Sequence, residues 1–208
     1  MILKFIVIIL IGYFLGAIPF GLIIGKLARG IDVREYGSGN IGFSNVLRVA
    51  GAKAGIATLI GDVAKGALAA LIGGIIIGGD IAGIAQVVAA VAAVLGHNWS
   101  IYLKFEGGKG VDTSLGGLIA MSPWVGLACL ATGLIVIFIS RYVSVGSISG
   151  AASSIVILVP LVALGHQPVE YLIYGIIVTV LIVFRHRDNI GRLRSGTESR
   201  LGQKGEKR

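Results

Sequence analysis

Apolar residues run along this chain in long blocks, at residues 2–27, 54–78, 81–96, 111–140, 143–165 and 169–184, with polar residues gathered between them. Most blocks approach the ~20 residues that carry a helix across a bilayer. The first carries one Lys, is far too long for a signal-peptide core and is followed by no A-x-A cleavage site, so it reads as a retained span. Basic residues collect at 26–53, at 104–109 and from Arg185 onward, with Arg141 alone between two blocks. The positive-inside tendency assigns all of these to the cytoplasm and leaves the acidic or neutral links 78–80 and 165–170 outside.

A single crossing by residues 111–140 would put Arg141 and the tail from Arg185, eight Lys and Arg against three acids, on the outer side. Thirty residues also make about 45 Å of helix, more than one span needs, and Met121-Ser122-Pro123 offers a break. The block therefore divides into a short helix from about Val111 and a full one from about Pro123. The expected fold is an all-α polytopic membrane protein with seven transmembrane helices, amino terminus outside and carboxyl terminus cytoplasmic. Residues 1–201 form one integral membrane domain, and 202–208 a solvated basic tail.

Composition agrees: 55% apolar and 13% charged residues, with a mean hydropathy of +0.92, exclude a soluble or disordered chain and leave no basis for a nucleic-acid partner. The lone Cys129 permits no intramolecular disulfide, and no His, Cys or carboxylate cluster has metal-ligand spacing, so neither metal nor cofactor is expected. The thirty-three glycines, many inside spans as at Gly73-Gly74 and Gly116-Gly117, suit close helix packing in lipid.

Three cytoplasmic constellations carry the chemistry. In the first, Gly37-Ser38-Gly39-Asn40-Ile41-Gly42 alternates glycine with short donors, suited to cradling anionic oxygens, and Asn45 and Arg48 follow on one helix face. In the second, Gly107, Gly108 and Gly110 surround Lys109 just before a helix start, so backbone donors, the helix dipole and an ammonium converge on one point. This is not a Walker A loop, since no Ser or Thr follows Lys109 to hold magnesium. In the third, His186 and Asn189 present a titratable ring and an amide one turn apart at the membrane surface. Elsewhere, His166 reads as a solvated loop histidine and Asp62 with Lys65 as an internal ion pair, and Ser38 lacks the company of a triad nucleophile.

With Gly96-His97-Asn98 preceding the glycine loop and Arg192-Leu193 and Gly196-Thr197-Glu198 closing the third motif, the chain resembles the bacterial acyl-phosphate glycerol-3-phosphate acyltransferases, the PlsY family. Phe43-Ser44 stands where Ala-Thr is usual, and Asp112 where Ala is usual. The resemblance implies a multi-pass enzyme of the bacterial cell (inner) membrane, its active site facing the cytoplasm, at an early step of phospholipid biosynthesis. It implies acyl transfer from acyl phosphate to the sn-1 hydroxyl of glycerol 3-phosphate, giving lysophosphatidic acid and phosphate, with membrane lipid as surroundings and neither acyl-CoA nor acyl carrier protein as donor.

On that resemblance the catalytic residues are Ser38, Arg48, Lys104, His186 and Asn189. Substrate is held by Gly37, Gly39, Asn40, Gly42, Asn45, His97, Gly107, Gly108, Lys109, Gly110 and Thr113. Ser38 is expected to orient rather than to form an acyl-enzyme, and the proton acceptor is left among His186, His97 and a substrate phosphate. No His-x-x-x-x-Asp signature supports a thioester-using acyltransferase, and the aspartates are too scattered for a metal-dependent phosphotransferase. A phosphate-ester transporter is the alternative from outside the enzymes. It is expected to show paired halves meeting at mid-membrane, whereas here glycines and cations gather at one face.

Overall fold

Pro19 splits the first apolar block. In the computed structural model, which describes residues 1–203 and 207, helix α1 (Ile2–Ala17) stops before Ile18 and α2 (Phe20–Arg29) resumes after Pro19, within the block read as one span. Proline has no N–H for the preceding turn and moves the residue before it out of helical geometry, and Ile18 accordingly sits at ψ 118°.

The chain continues through α3 (Phe43–Ala50), α4 (Ala52–Ile77), α5 (Ala82–Asn98), α6 (Val111–Met121), α7 (Pro123–Ser140), α8 (Val143–Ala163), α9 (Val169–Arg185) and α10 (Arg187–Arg194). Among the described residues the one strand-like pairing is an isolated bridge between Tyr36 and Lys207. The break at Ser122-Pro123 is present, with Pro123 at the start of α7 where its missing N–H is harmless. There α6 and α7 double back on each other, bringing Gly126 against Ile119.

Among the described residues five segments are long and apolar enough to cross a bilayer, with α1 and α2 together forming one of them, and a sixth is if α9 and α10, bent by 56°, count as one. Helix α6 has 11 residues, about 16 Å, half the hydrocarbon thickness. Large apolar side chains such as Ile60, Ile75, Phe138, Ile139, Val156 and Val180 stay exposed around the bundle, as lipid-facing positions should. Inside, glycine lets backbones touch. A Cβ at Gly66 would stand 1.9 Å from the Thr113 carbonyl oxygen, and one at Gly116 1.9 Å from that of Val63, so α4 and α6 could not cross with any other residue there.

The ends of the bundle differ. At one end Arg185 donates to the glycine loop, Lys109 reaches Asn189, Ser144 Oγ donates to Glu198 at 2.7 Å and the Leu201 N–H donates to the Arg141 carbonyl at 2.8 Å. All three constellations and Arg141 thus meet there. At the other end Glu170 packs on Gly83, and Tyr171 Oη donates to Gln86 at 2.8 Å. Of the tail, Gly202 and Gln203 are exposed, and residues 204–206 and 208 lie outside the described residues.

Candidate active site

The first motif folds around one amide. Asn45, buried at the start of α3, accepts the Ser38 N–H through Oδ1 at 2.9 Å and donates through Nδ2 to the carbonyls of Val33, Tyr36 and Asn40. Its hydrogen-bonding capacity is spent on the loop, so Asn45 shapes the cradle and leaves ligand contact to its neighbours. Gly37 and Gly39 sit at φ 57° and 72°, a left-handed region that L side chains avoid, and Asn40 Oδ1 accepts the Gly42 N–H at 2.8 Å. The result holds Ser38 and Arg48 on one wall of a cavity.

The glycine loop forms the floor. Arg185 Nε and Nη2 donate to the Gly108 and Gly107 carbonyls, both at 3.0 Å, and the Gly108 N–H donates to the His97 carbonyl at 3.0 Å. These bonds pin the loop from behind. Gly110, at φ 78°, then turns the chain into α6, whose first N–H groups have no intrahelical acceptor. Gly110, Val111 and Asp112 line the cavity, which puts the positive end of α6 on it.

The third motif closes the opposite wall through a relay of hydrogen bonds. Lys109 Nζ donates to Asn189 Oδ1, and Asn189 Nδ2 donates to Glu198 Oε1 at 2.6 Å. Glu198 also accepts from Ser144 at 2.7 Å and from Arg192 Nε at 2.8 Å. Burial would push its carboxyl up, but the bonds from Asn189, Ser144 and Arg192 outweigh that and hold it below the usual range. Lys109 is lowered to about 8 by burial; Glu198 opposes the drop, while Arg192 and Arg185 add to it. His186, between α9 and α10, is pushed down to about 4 by burial and then by Lys109, so it is neutral at pH 7. In the neutral ring Nδ1–H donates to the Ile182 carbonyl at 2.8 Å, which leaves Nε2 as an acceptor.

Gly37, Ser38, Asn40, Gly42, Asn45, Arg48, His97, Lys109, Gly110, His186 and Asn189 all line this cavity of about 230 Å³. Lys104 does not. It ends a short 3₁₀ turn at φ 54° with an exposed side chain, outside the lining of this cavity. Gly39, Gly107 and Gly108 act through loop shape, and Thr113 is buried beneath the floor with an Oγ1 that has no partner among the described residues. Sequence reasoning missed roles for Arg185, Arg192, Ser144 and Glu198. Arg192 and Glu198 belong to the third motif of the resemblance, which gave them no role of their own; nothing local marked Arg185 or Ser144.

A second, apolar cavity of about 330 Å³ runs between α6, α7, α8 and α9, lined by residues such as Leu118, Leu130, Leu134, Gly150, Ala151 and Val178. Phe43, Val111, Asp112, Val143 and Ser147 border both cavities, so a polar chamber adjoins an apolar one. Asp112 sits at that junction, in the first turn of α6.

The family pattern described as glycerol-3-phosphate acyltransferase matches residues 6–196. The chain is 45% identical to a glycerol-3-phosphate acyltransferase of Thermoanaerobacter sp. (strain X514) over 95% of this chain and 96% of the relative. It is 41% identical to one of Clostridioides difficile (strain 630) over 99% of each. Among solved structures it is similar to crystal structures of PlsY, an integral membrane glycerol 3-phosphate acyltransferase. The glycerol 3-phosphate form has a TM-score of 0.86 at 38% identity, covering 95% of this chain and 96% of that one, and the lysophosphatidic acid form 0.84 at 36%, covering 95% of each.

Proposed function

The chain belongs to the glycerol-3-phosphate acyltransferase family and is an integral membrane enzyme of that activity, and we propose that its donor is acyl phosphate and that the acyl group passes directly to glycerol 3-phosphate. The observation that carries this reading is the joining of the two cavities. An acyl phosphate has an anionic head and a long apolar tail, a division that matches a polar and an apolar cavity meeting at the start of α6.

The donor is a mixed anhydride with a good leaving group, so position and charge neutralisation can supply most of the acceleration. Arg48, Lys109 and the start of α6 bring positive charge to the chamber suited to phosphate, while Arg192 is paired with Glu198. The sn-1 oxygen of glycerol 3-phosphate attacks the acyl carbon, an ester C–O bond forms, and the C–O bond to phosphate breaks. His186 Nε2 accepts the hydroxyl hydrogen bond and orients it. With a pKa near 4 it is a weak base, so the proton leaves on the departing phosphate, whose second pKa of about 6 suits neutral pH. Ser38 orients the donor.

Direct transfer requires both substrates together. Rapid-quench mass spectrometry with acyl phosphate alone should show neither phosphate release nor an acylated peptide; an added acyl group on the peptide containing Ser38 would replace direct transfer by a ping-pong route. The pH profile gives a second test. Lys109 is charged below about 8 and neutral above, so kcat/KM for glycerol 3-phosphate should fall as pH rises through about 8. Lys109→Arg should move that limb upward, and a wild-type profile flat to about pH 10 would contradict the assignment.

Sidedness follows from the gathering of the basic constellations. The seven-span reading takes α6 as a short crossing, with the amino terminus outside and the carboxyl terminus and active site in the cytoplasm. In a Cys129→Ala background, cysteines at Ser38, Arg141 and Asn189 should label only from the cytoplasmic side, and one at Gln167 only from outside. Labelling of Arg141 and Ser38 positions from opposite faces would refute the α6–α7 hairpin as a double crossing.

A further inference from the structure

Behind the glycine loop lies a buried ionic group that the acyl-transfer chemistry above does not use. Lys65 Nζ, from α4, is 2.7 Å from Asp62 Oδ1, 2.8 Å from His97 Nδ1 and 2.9 Å from the carbonyl oxygen of Ile18, which lies between α1 and α2. Lys65, Asp62 and His97 are all almost wholly shielded from solvent. An ammonium has three N–H donors and no acceptor; this one donates to His97 Nδ1 and to the Ile18 carbonyl and pairs by charge with the Asp62 carboxylate.

We propose that Lys65 is a positioning residue: with Asp62 it holds the His97 ring in the tautomer protonated at Nε2, and so fixes a hydrogen-bond donor beneath the phosphate-binding loop. The distances around Nδ1 make the case. If Nδ1 carried the proton, its natural acceptor would be the neighbouring carboxylate, as in an Asp–His pair, and the ammonium would be repelled. Instead the ammonium is at 2.8 Å and the carboxylate oxygen at 3.5 Å, beyond good hydrogen-bond range, as expected for a bare Nδ1 lone pair facing a donor. Neutral imidazole then bears its proton on Nε2.

That nitrogen meets the loop. A Cβ built on Gly108 would stand 1.9 Å from His97 Nε2, so the ring edge lies against the Gly108 backbone, and His97 is part of the cavity lining. Nε2–H therefore presents a donor to an anionic oxygen held by Lys109, Gly110 and the first turn of α6. His97 cannot take the substrate proton in this state, since its one bare nitrogen is occupied by Lys65; of the two cavity histidines only His186 offers an acceptor. The ligand assigned to the donor rests on the glycerol 3-phosphate reading, whereas the tautomer does not.

The test is nitrogen NMR of full-length protein labelled with ¹⁵N-histidine in lipid nanodiscs, without substrate. The chain has three histidines, and His97→Gln identifies the signal of interest. The expected result is proton correlation at Nε2 alone for His97, with Lys65→Met populating the Nδ1–H form. Should Lys65→Met fail to fold because Asp62 is left uncompensated, Asp62→Asn with Lys65→Met removes both buried charges and gives the same reading. In whichever variant folds, KM for glycerol 3-phosphate should rise about tenfold or more with kcat within about threefold, the pattern of a weakened donor rather than lost chemistry. An Nδ1–H signal in wild type, or an unchanged tautomer without Lys65, would overturn the proposal. Failure of the substrate reading would show separately, as no turnover by protein whose His97 signal is as expected.

Discussion

Ala151→Trp should lower kcat/KM for a palmitoyl donor by about a hundredfold while leaving a butyryl donor within about threefold of wild type. Along α8, Val143 and Ser147 border both cavities, and Gly150, Ala151 and Ser154 line only the apolar one on the turns that follow. Ala151 therefore stands about 6 Å beyond the junction, past the reach of a short acyl group but beside a long one. An indole there would exclude three or four methylenes from the channel. At about 0.8 kcal/mol each, their loss amounts to roughly 3 kcal/mol, a factor near a hundred. Steady-state kinetics across a series of donor lengths checks it, and equal losses for all lengths would mean the chain lies elsewhere.

Gly108→Ala should raise KM for glycerol 3-phosphate by roughly 5- to 150-fold, the range of an overpacked site, with a smaller effect on acyl phosphate. From the sequence, a Cβ at 108 would be expected to obstruct the phosphate itself. In the structure its first collision is with His97, at 1.9 Å from Nε2 and 2.7 Å from Cε1. The loop must lift or the ring must move, and either displaces the backbone donors behind Lys109. Gly191, whose surroundings hold nothing within 4 Å of an added Cβ, supplies the control: Gly191→Ala should behave as wild type. Equal rises in KM for both substrates would instead signal a general folding defect.

These two sites differ in how far they could be foreseen. The glycine loop is contiguous in sequence, and three glycines around a lysine before a helix start describe an anion site by local geometry alone. The α6–α7 turn was likewise legible, because length, charge parity and Pro123 pointed the same way. Pro19 was equally visible, yet the unbroken hydropathy around it hid the break; its consequence, an Ile18 carbonyl outside both helices, acquires meaning only through Lys65, 47 positions later. Lys104 shows the converse. Its place beside the motif suggested a phosphate contact, and the backbone turn at φ 54° carries its side chain to the surface. Arg185 and Glu198 act across 77 and 54 positions, on Gly108 and Ser144, and no periodicity encodes such pairings.

The measurement that bears most directly on the account is the choice of donor. Purified protein in lipid nanodiscs would be given glycerol 3-phosphate with palmitoyl phosphate, palmitoyl-CoA or palmitoyl carrier protein in turn, and ester and phosphate would be followed together. The joined polar and apolar cavities predict lysophosphatidic acid and inorganic phosphate in equal amounts from palmitoyl phosphate, and no ester from either thioester. Ester from a thioester, with none from palmitoyl phosphate in the same folded preparation, would contradict it.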